Sequence, residues 1–253
     1  VWDRIRERAP YEAEDHSLSA VLWRLQEDHG LSDEKVLGNI AAMVIGGHHT
    51  TATQVAWIMY DVASHPEVQA RCMDELRAAG LLSTVTSRGR TVAWDDLTSL
   101  EYLNATVKES MRLHAVAGST STIREADRDV EIAGVDVPKG TVVWLPVIGM
   151  HLSDETWGDA LAFRPGRWLA DGGISSDAAA AYMPFGRGPR DCIGQNMAIT
   201  STKVYVIEML RRFWFDVDPR MGSKDEVHSR EEMAITLGVH GGIHLLAKEH
   251  KQN

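Results

Sequence analysis

The residues best placed to do chemistry gather around Cys192. The local sequence runs Phe185-Gly186-Arg187-Gly188-Pro189-Arg190-Asp191-Cys192-Ile193-Gly194, and a helical pattern begins directly after it. Gly186 and Gly188 let a backbone loop approach something flat and bulky without Cβ clashes. Arg187, Arg190 and the positive end of the following helix favour thiolate over thiol. A lone thiolate on a glycine-rich loop suits axial ligation of heme iron, with arginines nearby to neutralise the propionates. A single cysteine is more ordinarily a small buried hydrophobe. Cys72, on a surface-type helix far in sequence from the other groups, reads as structural.

Two more patterns carry chemical possibilities. Glu109 and Arg112 stand i, i+3 on one helix face and can pair; most such pairs are exposed and worth ~0.3 kcal/mol. Gly46 and Gly47 lie inside a long apolar helical run, where each costs ~1 kcal/mol relative to alanine. A helix tolerates them when it bends or admits a ligand. Thr50, one turn onward, can bond a backbone carbonyl, open the ladder and place a hydroxyl and a water beside a bound molecule. The plainer alternative is a glycine pair for helix packing and a back-bonded threonine. His49 can relay protons near neutrality, whereas His48 reads as a pocket or surface side chain.

These groups need elements to hold them. The stretch from Val36 to Tyr60 contains no Asp, Glu, Lys or Arg, but Asn39, His48, His49, Thr50, Thr51, Thr53 and Gln54 interrupt it, against a membrane span. It reads as a long helix from about Ser32 to Ser64, buried on most sides, with Ser32 as N-cap and Pro66 ending it. Further helices are expected over 13–28, 66–79, 100–114 and 193–213, the last with Ile199, Val206, Leu210 and Phe213 on one face. A short β region is expected over 129–137 and 141–146, around the Pro138-Lys139-Gly140 turn. A hairpin is expected from 233–239 and 243–247 about Gly241-Gly242, and a surface loop over 171–181.

The composition bounds the rest. The 253 residues are 44% apolar and 25% charged, the ordinary globular range. Twenty-six Lys and Arg against 36 Asp and Glu give a net charge of −10, which argues against nonspecific nucleic-acid binding. Two cysteines make no disulfide framework and suit a reducing compartment. No signal peptide opens the chain, and a start at Val1 within a helical stretch points to a fragment.

Phe185-x-x-Gly188-x-Arg190-x-Cys192-x-Gly194 resembles the heme-binding signature of the cytochromes P-450, the heme-thiolate monooxygenases. Three further motifs stand in the family's order. Gly46-Gly47-His48-His49-Thr50-Thr51 is similar to the oxygen-activating segment of the central helix, and Glu109-Ser110-Met111-Arg112 to the Glu-x-x-Arg motif. Phe163-Arg164-Pro165-Gly166-Arg167-Trp168 is similar to the arginine-bearing segment that follows. The resemblance covers essentially the whole chain. It implies a mainly α fold with a small β region, residues 1–253 forming the C-terminal part of a single domain whose N-terminal half is absent. It implies heme b, with Cys192 as the proximal iron ligand. Cofactor contacts would come from Phe185, Gly188, Arg190 and Gly194 on the loop, from Arg124 and His114, and from Gly46 and Gly47. Glu109, Arg112 and Arg167 would form a buried structural triad, and Thr50 and His49 would manage protons.

His49 departs from the pattern, since most members carry a carboxylate before the threonine. Histidine occupies that slot in the sterol-demethylating branch, but one residue does not support a sterol substrate. The implied reaction inserts one atom of O₂ into a small organic substrate, with electrons from a ferredoxin or flavoprotein reductase docked near Arg187. The missing half would carry most of the substrate specificity. Rival readings are a same-fold isomerase, dehydratase or peroxide-using enzyme, a non-catalytic heme-binding protein, and a heme-free fragment. The location implied is cytoplasmic in a prokaryote, with an upstream membrane anchor left open.

Overall fold

The computed structural model describes residues 2–12, 14–82, 90–117, 122–234 and 236–250. They fall into two compact units, Val1–His48 and His49–Asn253. The first unit holds α1 (Trp2–Arg6), α2 (Leu18–His29) and the start of α3 (Asp33–Ser64), which runs on into the second. The Ser17 hydroxyl caps α2 by accepting from the Ala20 amide at 3.3 Å. Gly30 closes it at φ 60°, a left-handed conformation that glycine takes at little cost. Leu22 and Val36 are buried there against Ile5, Trp23, Leu31 and Ile40.

Helix α3 begins one residue after the expected Ser32 and ends at Ser64, where Pro66 opens the next helix. Its burial differs from expectation. Trp57, Ile58 and Val62 are fully buried, yet Val44 and Ile45 are 63% and 57% exposed. Only the second half of the helix is sheathed on most sides.

In the second unit, α4 (Pro66–Ala78), α5 (Asp96–Ser99) and α6 (Glu101–Leu113) follow α3. The Glu75 carboxylate sits on the positive end of α6, accepting from the amides of Tyr102 at 2.8 Å and Leu103 at 2.9 Å. Short elements come next: β1 (Ile123–Glu125), β2 (Val130–Ile132), β3 (Val135–Val137), β4 (Val142–Trp144), α7 (Val147–His151), α8 (Asp154–Trp157) and α9 (Ser176–Ala181). Then α10 (Gln195–Leu210), β5 (Phe213–Val217), α11 (Lys224–Ser229), β6 (Glu231–Met233), β7 (Leu237–Val239) and β8 (Leu245–Glu249) complete the order. Ile58 and Val62 of α3, Cys72 and Leu76 of α4, Leu103 and Met111 of α6, and Val206, Ile207 and Leu210 of α10 share one core.

The strands pair antiparallel in twos: β1 with β4, β2 with β3, β5 with β8, and β6 with β7. The hairpin expected around Gly241-Gly242 is therefore corrected, because β7 and β8 belong to different pairs. Phe213, expected on the last turn of the final helix, instead opens β5, with Phe213 opposite Glu249 and Val217 opposite Leu245. Gln69 explains why this strand is held. Its side-chain amide donates to the Phe215 carbonyl at 2.8 Å and accepts from the Phe215 amide at 2.7 Å, so one edge is satisfied and the other takes β8. The expected 171–181 loop contains α9, capped by Ser175 accepting from the Ala178 amide at 3.1 Å. Its alanines favour helix once a cap starts it. Among the described residues, no helix is long and apolar enough to cross a membrane.

Candidate functional site

The Cys192 loop is held by its own backbone. The Cys192 amide donates to the Phe185 carbonyl at 2.9 Å, Gly186 to Met183 at 3.0 Å, Asp191 to Gly188 at 3.0 Å, and Gln195 to Cys192 at 3.2 Å. Gly186 and Gly188 adopt φ 75° and 90°, a region that side-chain-bearing residues rarely enter. A Cβ on Gly188 would meet nothing within 4 Å, and one on Gly186 or Gly194 would make ordinary contacts at 3.8 and 3.9 Å. Glycine is thus needed at 186 and 188 for backbone conformation rather than for space within the chain. Helix α10 starts three residues after Cys192.

Cys192 is exposed. Ile193 beside it is 94% exposed and Met197, on the first turn of α10, 62%. One soft sulfur donor framed by exposed apolar side chains fits a flat apolar macrocycle whose metal takes a thiolate ligand. No group of three or more His, Cys, Asp or Glu residues arranged for a bare metal ion occurs among the described residues. Cys72 is the opposite case: it is buried, 3.5 Å from the Thr106 hydroxyl, and burial pushes its thiol up to about 12. Arg187 and Arg190 are both exposed. Beside the loop is a cavity of about 490 Å³ lined in part by Lys108, Arg187, Asp191 and Lys203. Burial first, and then the Lys108 charge, lower the Lys203 ammonium from its usual range.

Glu109, Arg112 and Arg167 come together as the resemblance implies. The Glu109 carboxylate accepts from Arg112 Nε at 3.0 Å and Nη2 at 2.9 Å, and from Arg167 Nε at 2.9 Å. It also takes the Arg164 amide at 3.0 Å and the Trp168 indole N–H at 2.8 Å. Arg112 Nη1 reaches the carbonyls of His151 and Ala160, each at 2.7 Å. The Glu109 and Arg112 side chains are fully buried and Arg167 is 7% exposed. The exposed-pair alternative is thereby excluded. Sequence reasoning missed Trp168 and His151. Trp168, one residue after Arg167, had a signal in that motif; His151, 39 positions from its partner, had none.

The remaining residues are dispersed. His49 is exposed, and its Nδ1 lies 2.8 Å from the hydroxyl of Thr236, which is 3.2 Å from that of Thr53. Thr236 is 2% exposed and precedes β7. Thr50 is half-buried, and Gly46 and Gly47 lie within α3. A Cβ on Gly46 would meet nothing within 4 Å. His114, expected at a cofactor edge, is instead 3% exposed and stacked on Trp57 at 3.8 Å, with Nε2 3.3 Å from Asp61 Oδ1. One ring face and one ring nitrogen are already engaged in the core. Arg124 is exposed on β1 and donates from Nη1 to the Ile123 carbonyl at 2.8 Å.

Residues 3–240 match the family model described as Cytochrome P450. The chain is 36% identical over 225 residues to Cytochrome P450 4F3 of Rattus norvegicus, covering 87% of this chain and 41% of that protein. It is 34% identical over 225 residues to Cytochrome P450 714C3 of Oryza sativa subsp. japonica, with 87% and 42% covered. It is 37% identical over 188 residues to Cytochrome P450 3A25 of Mus musculus, with 74% and 36% covered. The chain spans less than half the length of these curated relatives.

Proposed function

Because the chain belongs to the cytochrome P450 family, we propose that it is the iron-ligating and proton-handling part of a heme-dependent monooxygenase. The observation that carries the reading is Cys192, exposed on a hydrogen-bonded loop and followed by exposed Ile193 and Met197, in a chain that also holds the buried Glu109 network. Heme b, when bound, supplies the activation of O₂ and the transfer of one oxygen atom to an organic substrate.

The chain's own residues do the positioning. The Phe185 carbonyl fixes the Cys192 amide and hence the place of its Cα on the loop. Ile193 and Met197 give an exposed apolar face on which a bound macrocycle would exclude water from the sulfur. Phe185, Gly188 and Gly194 shape the loop, and Arg190 and Arg124 are the cations for propionates. Gly46 and Gly47 belong to the helix that carries Thr50 and His49, whose hydroxyl and imidazole hold and pass protons. His114 acts through core packing against Trp57. A protein electron donor fits the loop face, where Lys108, Arg187 and Lys203 make a local basic patch on an acidic chain.

Cys192→Ala and Cys72→Ala in the complete polypeptide test this assignment. Under carbon monoxide after reduction, the heme-loaded protein is expected to show the red-shifted Soret band of a thiolate ligand. Cys192→Ala should abolish it and Cys72→Ala should keep it; the reverse outcome overturns the assignment.

A further inference from the structure

We infer that His151 is a positioning residue for the iron-ligating loop: as a neutral Nδ1–H tautomer it clamps Met183, where the chain enters that loop, to the backbone of Arg112. The role of Cys192 in this statement rests on the function proposed above; the clamp itself rests on geometry alone. His151 is the last residue of α7 and is fully buried. Its Nε2 lies 3.0 Å from the Met183 amide nitrogen, and its Nδ1 lies 3.1 Å from the Arg112 carbonyl oxygen. An amide N–H only donates and a carbonyl only accepts, so Nε2 must carry the lone pair and Nδ1 the proton. The tautomer follows from its partners.

The clamp is reciprocal. While the His151 ring bonds the Arg112 backbone, Arg112 Nη1 donates to the His151 carbonyl at 2.7 Å. That guanidinium is itself fixed on Glu109. Tyr182 stacks on the imidazole with centroids 5.6 Å apart and 22° between planes. From Met183 the bonds continue into the loop: the Met183 carbonyl accepts from Gly186, and the Phe185 carbonyl accepts from Cys192. A continuous path of hydrogen bonds thus references the Cys192 backbone to α6. The Met183 amide has His151 Nε2 as its acceptor, so loss of that acceptor would leave a half-buried donor unpaired at the loop's entrance.

Two substitutions separate the two bonds. Gln can place a carbonyl oxygen near the Nε2 position and keep the Met183 bond; Asn can place an amide N–H near the Nδ1 position and keep only the Arg112 bond. Amide hydrogen exchange on the complete heme-loaded polypeptide should show Met183 exchanging about tenfold faster or more in His151→Leu and His151→Asn, and close to wild type in His151→Gln. The thiolate Soret band should weaken in the same two variants and return in Gln. Nitrogen-15 imidazole shifts of the unmutated protein should report the Nδ1–H tautomer, which covers the case in which a variant fails to fold. An Nε2–H tautomer, or Gln behaving no better than Asn and Leu, overturns the inference. If the unmutated protein lacked the thiolate band, the Cys192 reading would fail, while tautomer and Met183 exchange would still decide the clamp.

Discussion

Arg112 and Arg167 converge on one carboxylate with almost no solvent, so Glu109 holds two positive charges that water cannot. Breaking a buried ion pair by removing one partner typically costs about 3–5 kcal/mol, because the uncompensated charge stays behind. Glu109→Gln keeps the volume and removes the charge. It is expected to cost several kcal/mol in chemical denaturation and to reduce heme incorporation; a loss under about 1 kcal/mol would show the network to be dispensable. His151 gives a pH prediction at the same scale. Burial chiefly, with the Arg112 charge adding to it against hydrogen bonds to the backbone of Arg112 and Ala181, lowers its imidazole from 6.5 to about 4. The charge that acts on it is that of Arg112 on α6, itself paired with Glu109, and the Tyr182 ring lies on its face. Above pH 6.5 the ring is neutral folded and unfolded. Below it the unfolded chain takes the proton and the folded chain does not, so stability falls down to about pH 4 and no further from this group. The loss is about 3 kcal/mol across that window. Denaturation midpoints of wild type and His151→Gln should therefore converge on acidification; parallel curves would mean the ring titrates normally. Cys192 was legible in the sequence because its signals are local: three glycines, two arginines and a helix start within ten positions. His151 was illegible because its partners lie 32 and 39 positions away.

At the scale of elements, β7 and Thr236 just before it do more than close a small sheet. The Leu237 carbonyl accepts from the Trp57 indole N–H at 2.9 Å, and the Leu237 amide donates to the Val116 carbonyl at 2.8 Å. Gly238 would bring a Cβ to 4.0 Å from the Thr53 methyl, and Thr236 meets both Thr53 and His49. This segment therefore packs on the stretch of α3 that carries Thr50 and His49. On the proton-handling role proposed above, holding His49 by Nδ1 would leave Nε2 as the ring atom to exchange protons. Thr236→Val keeps the shape and deletes the hydroxyl, so His49 loses its anchor. In the complete, heme-loaded protein the variant should divert a larger share of NAD(P)H electrons to peroxide, with Thr236→Ser restoring the product yield. An unchanged yield per NAD(P)H would take Thr236 and His49 out of the proton path, and the same measurement on Thr50→Ala and His49→Glu would place Thr50. Helix periods were read well where a cap or Pro marked the ends, as at Gly30 and Pro66. Strand pairing was not, because β5 has its partners in Gln69 and in β8, some thirty residues downstream, and no alternation within a strand announces either.

For the molecule as a whole, two properties pull against each other. The chain carries a net charge of −10, which keeps like molecules apart. It also exposes large apolar side chains, among them Val44 at 63%, Ile45 at 57%, Val142 at 65%, Trp144 at 55%, Ile193 at 94% and Met197 at 62%. The family and the mainly α class were legible because four motifs stand in order along one chain; which half of α3 stands bare was not, since an apolar run does not say what covers each part of it. The chain aligns with 41% of a relative such as Cytochrome P450 4F3 of Rattus norvegicus. Covering apolar surface is worth ~25 cal/mol per Å², so a few hundred Å² left bare amounts to several kcal/mol, comparable with a whole domain's net stability. Expressed by themselves, residues 1–253 should therefore self-associate, bind an apolar dye and take up heme below one equivalent. Association should grow with added salt, because screening removes the charge repulsion over a Debye length of about 8 Å at physiological ionic strength while leaving the apolar attraction intact. Light scattering across a salt series, with dye binding and heme titration on the same samples, tests this. A monomeric 253-residue chain with one tightly bound heme and no dye uptake at any salt concentration would mean that these apolar faces are stable in water, and that this chain is a working heme protein by itself.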